Sequence, residues 1–99
     1  MESKLQTRIK NHLRKDGWEV IKTVVLSESG YEDLFCFKDG KTMFIEAKDN
    51  HKKPRPLQAY RIKTHRKNGF VSFYANSWEM FLENYTGSQA DPQQNEQPE

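Results

Sequence analysis

DLFCFKDGKTMFIEAK, residues 33–48, holds two apolar runs joined by Asp39-Gly40. An Asp-Gly pair between apolar runs predicts a β-hairpin, because a two-residue turn needs positive φ at both central positions. With the turn placed there, Lys38 pairs with Lys41, Phe37 with Thr42, Cys36 with Met43, Phe35 with Phe44 and Leu34 with Ile45. The next pair is Asp33 opposite Glu46. Successive side chains alternate between faces. Asp33, Phe35 and Phe37 therefore share a face with Phe44, Glu46 and Lys48, while Leu34, Cys36, Ile45 and Ala47 point the other way.

Two carboxylates directly opposed on neighbouring strands repel each other. A divalent cation removes that repulsion. Mg²⁺ is a hard ion that takes carboxylate, carbonyl and water oxygens and is held by one or two carboxylates. Lys48 adds a positive charge on the same face, suited to orienting a water or to stabilising charge on a phosphoryl group. A surface ion pair between Glu46 and Lys48 would account for those two residues and leave Asp33 unexplained.

Outward from the hairpin, residues 3–16 predict a helix. Ser3 with Gln6 fits a capping box, and Leu5, Ile9 and Leu13 form one apolar stripe. Residues 18–26 (WEVIKTVVL) predict a strand. NHKKPRP is a basic loop, Pro56 suits the first position of a helix running to Asn68, and 70–75 (FVSFYA) predict a last strand. Asn76 with Glu79 resembles a second capping box, ahead of Trp78, Phe81, Leu82 and Tyr85 at helical spacing. The order is α-β-β-β-α-β-α, an α/β sandwich on one mixed sheet. Residues 1–85 form the domain. Thr86 to Glu99 has no large apolar residue, a composition that predicts a disordered polar tail.

The 99 residues carry a net charge of +2, unevenly spread. Lys52, Lys53, Arg55, Arg61, Lys63, Arg66 and Lys67 fall between His51 and Asn68 with no acid among them. A cationic segment of that kind suits a polyanion. His12, His51 and His65 lack metal-cluster spacing and read as surface groups, His51 and His65 adding phosphate contacts. One cysteine, Cys36, excludes an internal disulfide and a cysteine-rich zinc site; between two phenylalanines it reads as core. With no signal peptide and no membrane-length apolar run, the expectation is a cytoplasmic protein with no membrane contact.

An Asp in a strand, a hairpin and then Glu46-Ala47-Lys48 resembles the PD-(D/E)XK nuclease superfamily. The chain is most similar to stand-alone VRR-NUC domains and archaeal-type Holliday junction resolvases, over nearly all of residues 2–75. The resemblance rests on Gly30-Tyr31-Glu32-Asp33, on IEAK and on Gln58 in the following helix. Where the family has Pro before the Asp, this chain has Glu32. Alternation sends Glu32 to the opposite face and leaves Asp33 as the ligand.

The resemblance implies a restriction-endonuclease-like fold and a Mg²⁺-dependent endodeoxyribonuclease, with Mn²⁺ as a substitute metal and no small-molecule cofactor. Asp33, Glu46 and the Ala47 carbonyl would hold the metal, and Lys48 would position the attacking water. Gln58 would orient Lys48 or a phosphate, and Glu2 would be an accessory carboxylate. The substrate would be branched DNA, such as a four-way junction, cut by a homodimer in the cytoplasm of a bacterial or phage-infected cell. The dimer seam is expected on Phe70–Tyr74 and Trp78–Tyr85. Two rival readings are a non-catalytic DNA-binding module and a phage or mobile-element interaction protein acting through its acidic tail.

Overall fold

A computed structural model describes residues 3–24 and 26–90. The elements are α1 (Lys4–Lys15), β1 (Glu19–Lys22), β2 (Leu34–Lys38), β3 (Lys41–Ala47), α2 (Pro56–Lys67), β4 (Val71–Ala75) and α3 (Trp78–Ala90). The sheet order is β1-β2-β3-β4. The first three strands are antiparallel, and β3 and β4 are parallel neighbours joined through α2. The β2–β3 register is the one the Asp-Gly turn predicts, from Leu34 with Ile45 to Lys38 with Lys41. Asp39 and Gly40 both take positive φ, 49° and 75°.

The two faces of the sheet differ. Leu34, Cys36, Met43, Ile45, Phe73 and Ala75 are fully buried against Ile9 and Leu13 of α1 and Phe81 and Tyr85 of α3. The other face carries Phe35, Phe44, Glu46 and Ser72 beneath α2. There Phe35 and Phe44 meet edge-on at 4.9 Å, and the His65 ring stacks on Phe44 at 4.1 Å. One side is an oily core; the other is mixed, and the hairpin's acidic end opens on it. Cys36 is core, with its thiol pushed up to about 12 by burial, so it is no nucleophile. Among the described residues, no helix is long and apolar enough to cross a membrane.

Several expectations are corrected. The first strand stops at Lys22, short of residue 26. Val24 is exposed, and β-branched residues hold a strand only where a packed surface receives them. α3 runs to Ala90, five residues into the stretch expected to be disordered. Ser88 is fully buried there and its hydroxyl donates to the Tyr85 carbonyl, so local hydrogen bonding and core contact carry the helix past its last large apolar residue. Residues 91–99 lie outside the described residues. The α3 cap is Ser77, whose hydroxyl accepts the Met80 N–H at 3.1 Å; Asn76 instead donates to the Lys52 carbonyl.

Trp78, Phe81, Leu82 and Tyr85, with Phe73, pack into this chain's own core, and Tyr74 is buried too. Apart from the exposed Phe70, the expected dimer seam is therefore used within the monomer. His12 and His65 are not surface groups. His12 packs edge-on against Trp78, Phe81 and Tyr85, and His65 contacts the buried Glu32.

Candidate active site

β3 ends in Glu46-Ala47 at one edge of the α2 face, and Lys48 continues the ladder by donating its N–H to the Ala75 carbonyl. Glu46 is 2% exposed. Its Oε2 lies 3.4 Å from Lys48 Nζ and accepts from Gln58 Nε2 at 3.1 Å. Gln58 is itself oriented, since its Oε1 accepts the Arg55 N–H at the start of α2. Gln58 thus steadies Glu46, where the sequence suggested Lys48 or a phosphate.

Asp33 lies just before β2, and its Oδ2 accepts the Ala47 N–H at 3.2 Å. Its carboxyl is also hydrogen-bonded by Gln6 and feels the charge of Lys48. Asp33, Glu46, Ala47, Lys48 and Gln58 therefore come together at one corner. Glu2 lies outside the described residues.

Electrostatically the corner is short of positive charge. Burial pushes the Glu46 carboxyl up to about 7, and the negative charge of Asp33 adds to this against the pull of Lys48. Burial also raises Asp33, opposed by the Ala47 N–H and by Lys48. Among the described residues, the buried side-chain atoms with no hydrogen-bond partner are Gln6 Oε1, Glu32 Oε1 and Glu46 Oε1. Gln6 bonds Asp33 and Glu46 is the corner's own carboxylate, so two of the three belong to this corner. A buried acceptor without a donor calls for a reason, and a cation is one. No three His, Cys, Asp or Glu side chains converge among the described residues. An ion here would have two carboxylates, the Ala47 carbonyl and water, a hard-oxygen set suited to Mg²⁺ or Mn²⁺.

Glu32 departs from its expected place. It is 1% exposed on the α2 side, taking the Ser72 hydroxyl at 2.5 Å and facing His65 Nδ1 at 2.7 Å. Strict alternation fails because β2 begins only at Leu34. Glu32 thus ties the segment before Asp33 to α2 and β4. Gly30 brings α2 in from the same side: its φ is +84°, and a Cβ there would lie 2.5 Å from Leu57 Cγ.

Sequence reasoning missed Gln6, Glu32 and Gly30 as parts of the site. Gln6 sat inside a capping motif, and only half of that motif forms: the Gln6 N–H reaches Ser3 Oγ at 3.0 Å while the side chain turns to Asp33.

The basic segment divides. Lys52, Lys53, Arg55, Lys63 and Lys67 are exposed. Arg61 donates to the Ser29 carbonyl and sits 4.3 Å over the Tyr31 ring. Arg66 donates to the Ser72 carbonyl at 2.6 Å. These two arginines brace α2 against the sheet and the loop before Asp33.

No protein-family model matches the chain, and no curated protein does. A solved structure described as a VRR_NUC domain is similar to it, with a TM-score of 0.73 and 27% identity over 83% of this chain and 90% of that one. The chain has a VRR-NUC-like nuclease fold.

Proposed function

We propose that this chain is a divalent-metal-dependent endonuclease that hydrolyses phosphodiester bonds in branched DNA, including four-way junctions, as a cytoplasmic homodimer. The observation that carries the proposal is the buried Glu46, held by Lys48 and Gln58 beside Asp33, with one carboxylate oxygen left unpartnered. Asp33, Glu46 and the Ala47 carbonyl would hold Mg²⁺ or Mn²⁺. When bound, the ion would neutralise the paired carboxylates and the charge that develops on the phosphoryl oxygens.

The rest falls to the chain. Lys48 holds the attacking water by hydrogen bonding. Water oxygen attacks phosphorus in line, the P–O bond to the leaving oxygen breaks, and the proton shed by the water reaches that leaving oxygen through solvent. Gln58 keeps Glu46 in one rotamer, and Gln6 and the Ala47 N–H do the same for Asp33. Lys52, Lys53, Arg55, Lys63 and Lys67 take backbone phosphates. Contacts of that kind position the strand without reading its sequence, which suits recognition by DNA shape.

A non-catalytic DNA-binding module is the second reading, favoured by the same basic surface. The test is cleavage of linear, flap and four-way DNA by the pure protein, with and without Mg²⁺. Metal-dependent cuts that favour the junction are expected. Binding without cutting under Mg²⁺ and Mn²⁺ would leave the second reading standing.

A further inference from the structure

A second cleft of about 330 Å³ opens on the far side of Lys48, between the first turns of α1, the turn after β3 and the start of α3. Lys4, Arg8, Lys48 and His51 line it, and Asp49 is its one carboxylate. Lys4 and Arg8 are four residues apart on α1, so they share a face. Arg8 is pre-arranged: its guanidinium carbon lies 3.9 Å over the centre of the Trp78 ring. Stacking on an aromatic face leaves the rim of N–H donors free to bind an anion and lowers the entropy lost on doing so.

The turn that completes the cleft is held in an unusual shape. Asn50 and His51 both have positive φ, 55° and 56°. Neither is glycine, and such conformations persist where surrounding structure enforces them. Here the Lys52 N–H bonds the Asp49 carbonyl, the Lys48 N–H bonds the Ala75 carbonyl, and Asn76 bonds the Lys52 carbonyl. Those bonds hold His51 at the cleft.

The cleft adjoins the candidate active site. Lys48 lines it and touches Glu46. Asp49 lines it and also a neighbouring cleft formed with Gln6, Asp33 and Ala47. We propose that this second cleft binds a backbone phosphodiester flanking the scissile one, with Lys4 and Arg8 as its principal cations. Lys4 and Arg8 set two permanent positive charges against the one lining carboxylate, a balance that fits a hard oxyanion, and continuity with Asp33 and Glu46 sets its place on the strand. The DNA then crosses the end of β3 between α2 and α1, gripped on both sides. The inference deepens the nuclease reading and rests on it for the ligand.

The test measures binding of fluorescent duplex DNA by anisotropy across a salt series in EDTA, so that no cleavage is needed. Lys4→Gln/Arg8→Gln is expected to reduce the log–log salt slope by about one unit, at roughly 0.9 per lost phosphate contact. Lys41→Gln, on the hairpin turn at the opposite end of β3, should leave it unchanged. Should Arg8→Gln melt the domain by losing Trp78, Lys4→Gln alone should remove about half of that unit. A wild-type slope in the folded variants overturns the proposal. An affinity gain confined to 5′-phosphorylated oligonucleotides, and lost in the double variant, also overturns it by making the occupant a terminal phosphate. Wild-type cleavage is scored separately. A protein that never cuts while Lys4 and Arg8 carry the slope sinks the nuclease reading and keeps the phosphate cleft.

Discussion

Burial and the charge of Asp33 hold the Glu46 carboxyl at about 7, against 4.5 for a free glutamate. The folded state therefore binds this proton more tightly than the unfolded state does. In metal-free buffer, stability should fall as pH rises from about 4.5 to about 7 and then level off, by on the order of 3 kcal/mol at most. Asp33, also raised by burial, acts in the same direction. Thermal melts of wild type and Glu46→Gln across that range check this: the variant should lose most of the slope and be the more stable at pH 8. Adding Mg²⁺ at pH 8 should raise the wild-type melting temperature, by the linkage of binding to folding, and should do little for Asp33→Asn or Glu46→Gln. Asp33→Asn, Glu46→Gln and Lys48→Ala should each abolish cleavage while DNA binding and the fold persist; full activity in one of them removes that residue from the mechanism. Gly30→Ala meets both a left-handed φ and Leu57. It should push the start of α2 outward, carry Gln58 off Glu46, and cost more activity than stability, read from cleavage rates beside a melt.

α2 shows how one helix serves two ends. Its inward residues Gln58, Arg61 and His65 reach Glu46, the Ser29 carbonyl and Glu32 in turn. Its outward lysines, Lys63 and Lys67, face solvent. A run of basic residues in the sequence does not reveal that split, because it depends on which face meets the sheet. Two double variants separate the roles. Lys52→Ala/Lys53→Ala should flatten the salt slope of duplex binding by up to about two units and leave the melt nearly unchanged. Arg61→Ala/Arg66→Ala should leave the slope near wild type and destabilise by roughly 1–3 kcal/mol, through lost hydrogen bonds to backbone carbonyls. A reversal of those two outcomes would mean that the loop is structural and the arginines bind DNA. The β2–β3 hairpin lies at the other extreme. Its register depends on two turn residues and on alternation, both local, and every predicted pair from Leu34 to Lys38 forms.

At the scale of the whole molecule, the proposed activity calls for a second copy. Paired cuts on a four-way junction need two active sites related by a two-fold axis, hence one self-complementary patch. With Phe73, Tyr74, Phe81 and Tyr85 committed to the internal core, that patch must use other groups. Ile21 on the edge strand β1, with Val24 and Leu26 beyond it, are exposed apolar residues, and among the described residues β1 has only β2 beside it. A homodimer is expected by light scattering at micromolar concentration. Ile21→Lys should weaken it, lowering junction cutting more than nicking of a single strand. A clean 11.7 kDa monomer, with and without junction DNA, leaves a nuclease that makes single cuts.

What the sequence determined by itself is what short-range chemistry controls: the Asp-Gly hairpin with its pairing from Leu34 to Lys38, the helix behind Pro56 and the element order. What only the tertiary structure decided is where side chains meet once alternation or helical spacing lapses. Glu32 precedes the strand, so its burial against Ser72 and His65 follows from the packing of α2 and not from its parity with Leu34. Gln6 satisfies a local capping pattern, yet its side chain goes to Asp33 because folding brings α1 beside the end of β2. Trp78, Phe81 and Tyr85 look surplus until His12, Trp18 and the sheet close over them. Lys4 and Arg8 are two more charges on a basic helix until the turn at Asn50–His51 and the Trp78 ring build a cleft around them. Each case depends on contacts between residues far apart in the chain, which no local period encodes.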